Sequence, residues 1–353
     1  MLVTSPISSR LAQRARGRIG VADVCTRSVE LAPSSVAPQP PAPTYADHEL
    51  DRVTASDEMS TLAVQFAWLE GTTVFPGAAA YRLPPMWMVD GNLAAGRFRW
   101  EMNDHRERLV VSKRDVPVLA DVAFSSSSYG NRFFGHHLSD DLPLALAAAE
   151  YGDPWYANPP DQIPVNIGAY RDVCGIDHPS IWTARVDRCW VFQDAHLNDS
   201  KLGRLETMRA SIASGWGPGA GHERVYIRRG PTGVARGPAN EPALIAALEA
   251  DGWVVIDPES MTTAEVARSL FDARLVAGIE GSQLSHAIFA LRRGAGVVAM
   301  IPPNRFNLLF KDFFDRLGIR FGFHVGTMNE TGWEVAVDGA KSIIEHMEGL
   351  DAP

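Results

Sequence analysis

The sequence predicts an α/β protein of two domains, the second built on a doubly wound parallel sheet. Three observations carry this. From Arg224 onward, short apolar runs alternate with apolar-striped helical segments across short loops, the pattern of parallel strands joined by crossover helices. The chain has 353 residues, long for one core and comfortable for two. A glycine-rich run, Gly215-Trp216-Gly217-Pro218-Gly219-Ala220-Gly221, separates the halves.

From Met1 to about Asp57 the residues are mostly Ser, Ala, Pro and Arg, a composition that buries too little apolar surface to offset chain entropy. Residues 1–57 are therefore expected to be a disordered tail. Residues 58–214 form the expected first domain. Strands are predicted at Thr72–Phe75, Met86–Val89, Val116–Phe124, Ile163–Ile167 and Cys189–Phe192. Helical spacing marks the Ala-rich run to Tyr151 and the segment Leu202–Ala213.

The second domain is expected over residues 215–335. Its glycine run precedes a strand instead of following one, which removes the dinucleotide phosphate loop and with it a dehydrogenase. The strand Val225–Ile227 leads to a helix with Asn240 as N-cap and Leu244, Ile245 and Leu248 inward. Gly252 ends that helix, and Trp253–Ile256 is the next strand. Thr262 and Glu265 read as a capping box before a stripe of Val266, Leu270 and Phe271. Strands at Leu275–Ala277, Gly296–Ile301 and Ile319–Val325 alternate with helices at Ser282–Leu291 and Phe306–Leu317. Residues 336–353 carry a last helix, expected to pack back on the first domain.

Composition limits the function classes. Apolar residues make up 46% and charged residues 21%, ordinary for a soluble globular protein. A net charge of −9 argues against nucleic acid as a partner. Cys25, Cys174 and Cys189 show no metal-ligand spacing and suggest a reducing compartment, so a cytoplasmic location is expected. No apolar run is long enough to span a bilayer, which leaves peripheral membrane contact open. Arg10, Arg14, Arg16 and Arg18 are followed by no apolar core, so no secretory signal is expected.

Three places could carry chemistry. The run Arg224-Val225-Tyr226-Ile227-Arg228-Arg229 delivers Arg229 to the C-terminal edge of the sheet, where α/β folds bind ligands. Arg236 and Asn240-Glu241 follow, and guanidinium forks suit phosphate oxygens. Gly278-Ile279-Glu280-Gly281-Ser282 is a second strand end, whose N–H groups suit an anion. Glu280 there competes with a phosphate or meets hydroxyls. His136 and Asp140, four apart near a helix start, could take a proton from a hydroxyl. No third metal ligand accompanies them, so no metal or other cofactor is expected.

These segments together resemble family 61 glycosyltransferases, including bacterial members described as capsular polysaccharide biosynthesis proteins. Gly135-His136-His137-Leu138 with Asp140 and Leu142-Pro143 resembles the block GHWLxDxLP. Tyr226-Ile227-Arg228-Arg229, Arg236 and Asn240-Glu241 resemble YxxR…R…NE. Asp257-Pro258-Glu259 with Glu265 resembles PE…E, and Gly278 to His286 resembles GxHGAxLTN. Glu280 stands where many members have His, and His286 where many have Asn. The resemblance implies a GT-B-like fold of two facing Rossmann-like domains with parallel sheets. It also implies inverting transfer from a nucleotide-sugar donor to a saccharide or other hydroxyl acceptor. Donor binding would fall to Arg229, Arg236, Asn240, Glu241, Glu259, Gly281, Ser282 and His286, and catalysis to His136, Asp140 or Glu280. A non-catalytic nucleotide- or sugar-binding protein of the same fold is the alternative.

Overall fold

Five short strands form one all-parallel sheet in a computed structural model of the chain. Their order is Val254–Ile256, Arg224–Ile227, Leu275–Ile279, Gly296–Ile301 and Arg320–Val325. The structure describes residues 2–3, 5–38, 43–58, 60–69, 72–103, 108, 111–112, 116–159, 165–230, 236–330 and 332–350. Leu275–Ile279 and Gly296–Ile301 are buried along their whole length, as strands covered on both faces must be. Helices Glu241–Ala250, Thr263–Phe271, Ser285–Ala290, Leu309–Arg316 and Val337–Gly349 follow the strands in turn. In sequence terms the strand order is 2-1-3-4-5. The chain reverses direction across the sheet between Arg224–Ile227 and Leu275–Ile279, and ligands of such sheets bind at that switch point.

The chain divides into two units, Met1–Ser35 with Phe75–Met208 and Val36–Val74 with Arg209–Pro353. The second holds the parallel sheet. The first holds two mixed sheets, where resemblance had implied a parallel one. One runs in the order Asp153–Trp155, Val122–Phe124, Cys189–Gln193, Ala78–Leu83, Arg27–Ala32, parallel on one side and antiparallel on the other. The other contains the meander Met86–Val89, Asn92–Ala95, Phe98–Trp100. Leu83, Val122, Phe124, Cys189 and Val191 pack with residues of the meander, including Met86, Met88, Leu93 and Phe98. Ala80, Ala123, Trp190 and Phe192 alternate with them and pack with Leu144, Ala147 and Ala148 of the helix Leu142–Ala148.

Several expectations are corrected. The described residues of 1–57 are no solvated tail. Arg27–Ala32 adds a strand beside Ala78–Leu83, and Ser9 Oγ of the helix Ser5–Arg16 donates to the Phe98 carbonyl at 3.2 Å. Thr44 exchanges backbone hydrogen bonds with Phe321 and Phe323, and buried Glu49 meets His324 Nδ1 at 2.8 Å. Ile167, Tyr170 and Arg171 are buried at helical spacing, so Val165–Val173 is a helix where a strand was expected; residues 163–164 lie outside the described residues. The run 116–124 splits into Val118–Leu119 and Val122–Phe124, in different sheets. The division between units falls inside the helix Asp199–Trp216, before the glycine run. The last helix packs on its own unit, with Ala340, Ile343, Ile344 and Met347 against Tyr226, Leu244 and Val298.

Candidate functional site

The switch point of the second unit gathers three arginines. Arg229 leaves the Arg224–Ile227 strand and donates from Nη1 to Gln283 Oε1 at 3.0 Å, across to the neighbouring strand end. Gly281 permits this approach: at φ 156° it lies where side chains are rarely placed, and a Cβ would fall 1.8 Å from Arg229 Nη1. Arg236 Nη1 lies 3.6 Å from Glu280 Oε2, and its backbone carbonyl accepts from Trp333 Nε1 at 2.9 Å. The Nε of Arg236 is buried with no hydrogen-bond partner among the described residues. Arg305, at the end of the Gly296–Ile301 strand, donates to Glu280 Oε2 at 2.6 Å. Its Nη2 lies 3.8 Å from Asp57 Oδ2, which Asn307 Nδ2 holds at 2.5 Å.

Glu280 is the centre of this arrangement, 3% exposed. Burial pushes its carboxyl above the ordinary range, against the pull of Arg305, Arg236 and Arg229. Burial likewise lowers Arg229 and Arg236, with Glu280 opposing. Glu259 stands at the rim, since a Cβ on Gly230 would meet its carboxyl group at 2.0 Å. Residues 231–235 of the loop between Arg229 and Arg236 lie outside the described residues.

Other expected donor residues are tied to the scaffold. Asn240 makes no N-cap hydrogen bond. Its Nδ2 donates to the Val335 carbonyl at 2.8 Å, and its Oδ1 accepts from Val335 N at 2.9 Å. Glu241 accepts from the buried Tyr226 hydroxyl at 3.0 Å. Ser282 opens a short 3-10 turn, Ser282–Leu284. His286 is buried in the next helix, and burial lowers its imidazole to about 4. The capping box forms as expected, Thr262 N donating to Glu265 Oε2 at 2.8 Å.

In the first unit, His136 and Asp140 do meet. A π-helical turn, His137–Asp141, interrupts the helical path from Phe134 to Ala148, a feature frequent at functional sites. His136 Nδ1 lies 2.8 Å from Asp140 Oδ2. Asp140 Oδ1 accepts from Lys201 Nζ at 2.8 Å. Burial alone would raise the Asp140 carboxyl, but Lys201 and His136 outweigh it and bring it to about 2. The rings of Tyr129 and Phe133 flank His136, with centroids at 5.3 and 5.9 Å.

His137 and Asp141 of the turn are structural. Burial lowers the His137 imidazole to about 3, and the nearby Arg171 adds to this; Nη2 of Arg171 stands 3.1 Å from its Nε2. Burial pushes Asp141 well up. Its Oδ1 accepts from Ser127 N and Oγ at 2.9 and 2.7 Å, which fixes the turn that carries Tyr129.

The model of the family Glycosyltransferase 61 matches residues 87–298, well over half the chain. The chain belongs to this family. It is a glycosyltransferase, with a sugar donor and an acceptor as its substrates. No curated protein matches the chain. The match takes in both clusters, but Asp57 and Arg305 lie outside it. Among the described residues of this glycosyltransferase, no helix is long and apolar enough to cross a membrane. None of its described His, Cys, Asp and Glu groups is arranged to hold a metal ion.

Sequence reasoning missed Arg305, Asp57, Gln283 and Lys201. Arg305 had the signal that revealed Arg229, since it follows Pro302-Pro303 just after a strand. Asp57 was hidden by the tail reading, and Gln283 stands inside a recognised segment without being singled out. Lys201 lies in a helix with no local sign of its distant partner.

Proposed function

We propose that this family 61 member is an inverting glycosyltransferase that uses a nucleotide-sugar donor, and that the arginine cluster binds the donor's phosphates. The observation that carries the reading is the convergence of Arg229, Arg236 and Arg305 at a switch point, with an unsatisfied buried Nε on Arg236. Guanidinium groups fixed before the reaction stabilise charge as it develops on a leaving phosphate. Arginine would take the part that a metal ion takes in other transferases, so the reaction is proposed to be metal-independent. Glu280 is engaged by Arg305 and Arg236, which makes it a holder of the arginines. Glu259, Gly281 and Ser282 would border the donor.

His136 is the proposed general base. The acceptor hydroxyl oxygen bonds to the anomeric carbon as that carbon's bond to the phosphate oxygen breaks. The bonding pair leaves with the phosphate, and the hydroxyl proton goes to the imidazole. The same reading takes the two units as the domains of a GT-B-like enzyme. It places the protein in the cytoplasm, adding a hexose or pentose to a saccharide of a polysaccharide pathway.

The test is calorimetry with uridine, guanosine, cytidine and thymidine mono- and diphosphates, followed by hydrolysis and transfer assays with sugars on the nucleotide that binds. Nucleotide affinity that Arg229→Ala weakens, together with metal-free turnover, supports the reading. Binding without hydrolysis or transfer to any acceptor would leave a non-catalytic binding protein.

A further inference from the structure

Asp140 carries a buried partner to which the proposed transfer gives no task. The Lys201 side chain is 0% exposed, and a buried ammonium is costly unless it is paired. Its backbone N donates to Asn198 Oδ1 at 3.0 Å. Asn198 Nδ2 in turn donates to Asp194 Oδ1 at 2.7 Å, and Asp194 pairs with Arg204. The lysine is thus fixed at its backbone while Nζ reaches Asp140 Oδ1, 61 residues away in sequence, at 2.8 Å. The other oxygen of that carboxylate faces His136 Nδ1 at 2.8 Å.

We infer that Lys201 is a positioning residue that decides which group is the base: it keeps Asp140 an acceptor, so that His136 donates from Nδ1 and takes the acceptor proton on Nε2. The inference rests on the reading of His136 as base. A carboxylate bonded to an ammonium through one oxygen is a poor base, and its other oxygen can only accept from the imidazole. A neutral imidazole has one N–H, so engaging it at Nδ1 leaves the lone pair on Nε2, the arrangement by which buried acids orient catalytic histidines. After the proton arrives, Asp140 faces the imidazolium. The titratable neighbours do not compete for the role. Asp141, next in the chain, is pushed well up by burial and bonded to Ser127. His196 is lowered by burial and by Lys201. Tyr129 and Phe133 present rings to His136.

The test uses the full-length protein with nitrogen-15 histidine, and long-range proton–nitrogen spectra that report the tautomer of His136 in its neutral form. The expected wild-type form is Nδ1–H, with that preference lost in Lys201→Met. In transfer assays Lys201→Met should lower kcat about ten- to hundredfold, as for other groups that orient a functional histidine. Donor KM should hold, and Lys201→Arg should recover part of the loss. If Lys201→Met does not fold, Asp140→Asn with Lys201→Met removes both buried charges and must show the same loss of tautomer preference. A wild-type Nε2–H form, or a tautomer indifferent to Lys201 while His136→Ala abolishes turnover, overturns this inference alone. Full turnover in His136→Ala overturns the base assignment and this inference with it.

Discussion

Replacing Arg305 by alanine leaves the buried Glu280 carboxylate without its shortest partner. The contact is 2.6 Å, with side-chain exposures of 22% and 4%. At an effective dielectric of about 20 a contact pair is worth roughly 4 kcal/mol before desolvation, and removing one partner of a buried pair costs about 3–5 kcal/mol. Arg236, at 3.6 Å, still offers compensation, so the lower end applies, about 3 kcal/mol. For a domain of this size that is about 6–12 °C in Tm, at about 2–4 °C per kcal/mol. The loss is pH-dependent, with a definite sign. Glu280 is already raised in the folded protein, and losing Arg305 raises it further. The folded state then binds the proton more tightly than the unfolded chain, so stability falls as pH rises through the folded-state value. The penalty is full above the folded-state value and shrinks as the solution is acidified towards the ordinary carboxylate range. Thermal unfolding from pH 5 to 8, for Arg305→Ala and for Arg305→Met with Glu280→Gln, measures this, and the double variant, which lacks the Glu280 carboxyl, should lose the pH dependence. An unchanged Tm in Arg305→Ala, or a loss independent of pH, would refute the buried-pair reasoning.

Arg229→Ala should weaken binding of the preferred nucleotide by about 1.5–3 kcal/mol, the range for a hydrogen bond to a charged group, and calorimetry reads it directly. Gly281→Ala keeps every charge but drives a Cβ to 1.8 Å from Arg229 Nη1; it should approach the same loss of affinity, and wild-type affinity would show that the Arg229 position is unimportant. His136→Ala should lower turnover by about two to four orders of magnitude with nucleotide affinity kept, and near-normal turnover would move the base elsewhere. A chain starting at Glu58 should lose solubility or melt well below the full-length protein, because it lacks the strand Arg27–Ala32 and the Glu49–His324 pair; equal melting temperatures would restore the view of a dispensable tail.

What could be read from the sequence follows the range of the interactions. The parallel sheet is legible because each strand and helix announces itself within about ten residues: Thr262 with Glu265, Gly252 after its helix, the buried run Leu275–Ile279. The first unit depends on pairings that span the chain, as when Arg27–Ala32 docks on Ala78–Leu83. One local signal there was overlooked. Asp90 and Gly91, at φ 48° and 77°, form the two-residue turn that joins Val89 to Asn92, and Asp-Gly is a strong hairpin marker. The mean composition of residues 1–57 conceals one buried acid at each critical place, Glu49 at His324 and Asp57 at Arg305. Asn240 shows the opposite error, a residue suited by type to cap a helix but spent on Val335.

Glu280 first looks misplaced in a phosphate site, since a carboxylate repels the ligand. The geometry gives it a use. Arg229, Arg236 and Arg305 are all partly buried and lie in one another's fields. Without an anion among them, mutual repulsion and desolvation would drive the guanidinium groups apart or out into water. Glu280 and Asp57 offset two of the three charges, so the arginines keep their places before any ligand arrives. The unsatisfied Nε of Arg236 remains for the donor. Preorganisation of this kind trades some attraction for fixed geometry, and fixed donors contribute most where charge develops during reaction. It follows that Glu280→Gln should behave unlike the loss of a base. It should weaken folding through the unpaired arginines, while the nucleotide that binds there should stabilise the variant by a larger shift in Tm than the wild type. Equal shifts in the two proteins would mean that Glu280 does not hold the arginine cluster.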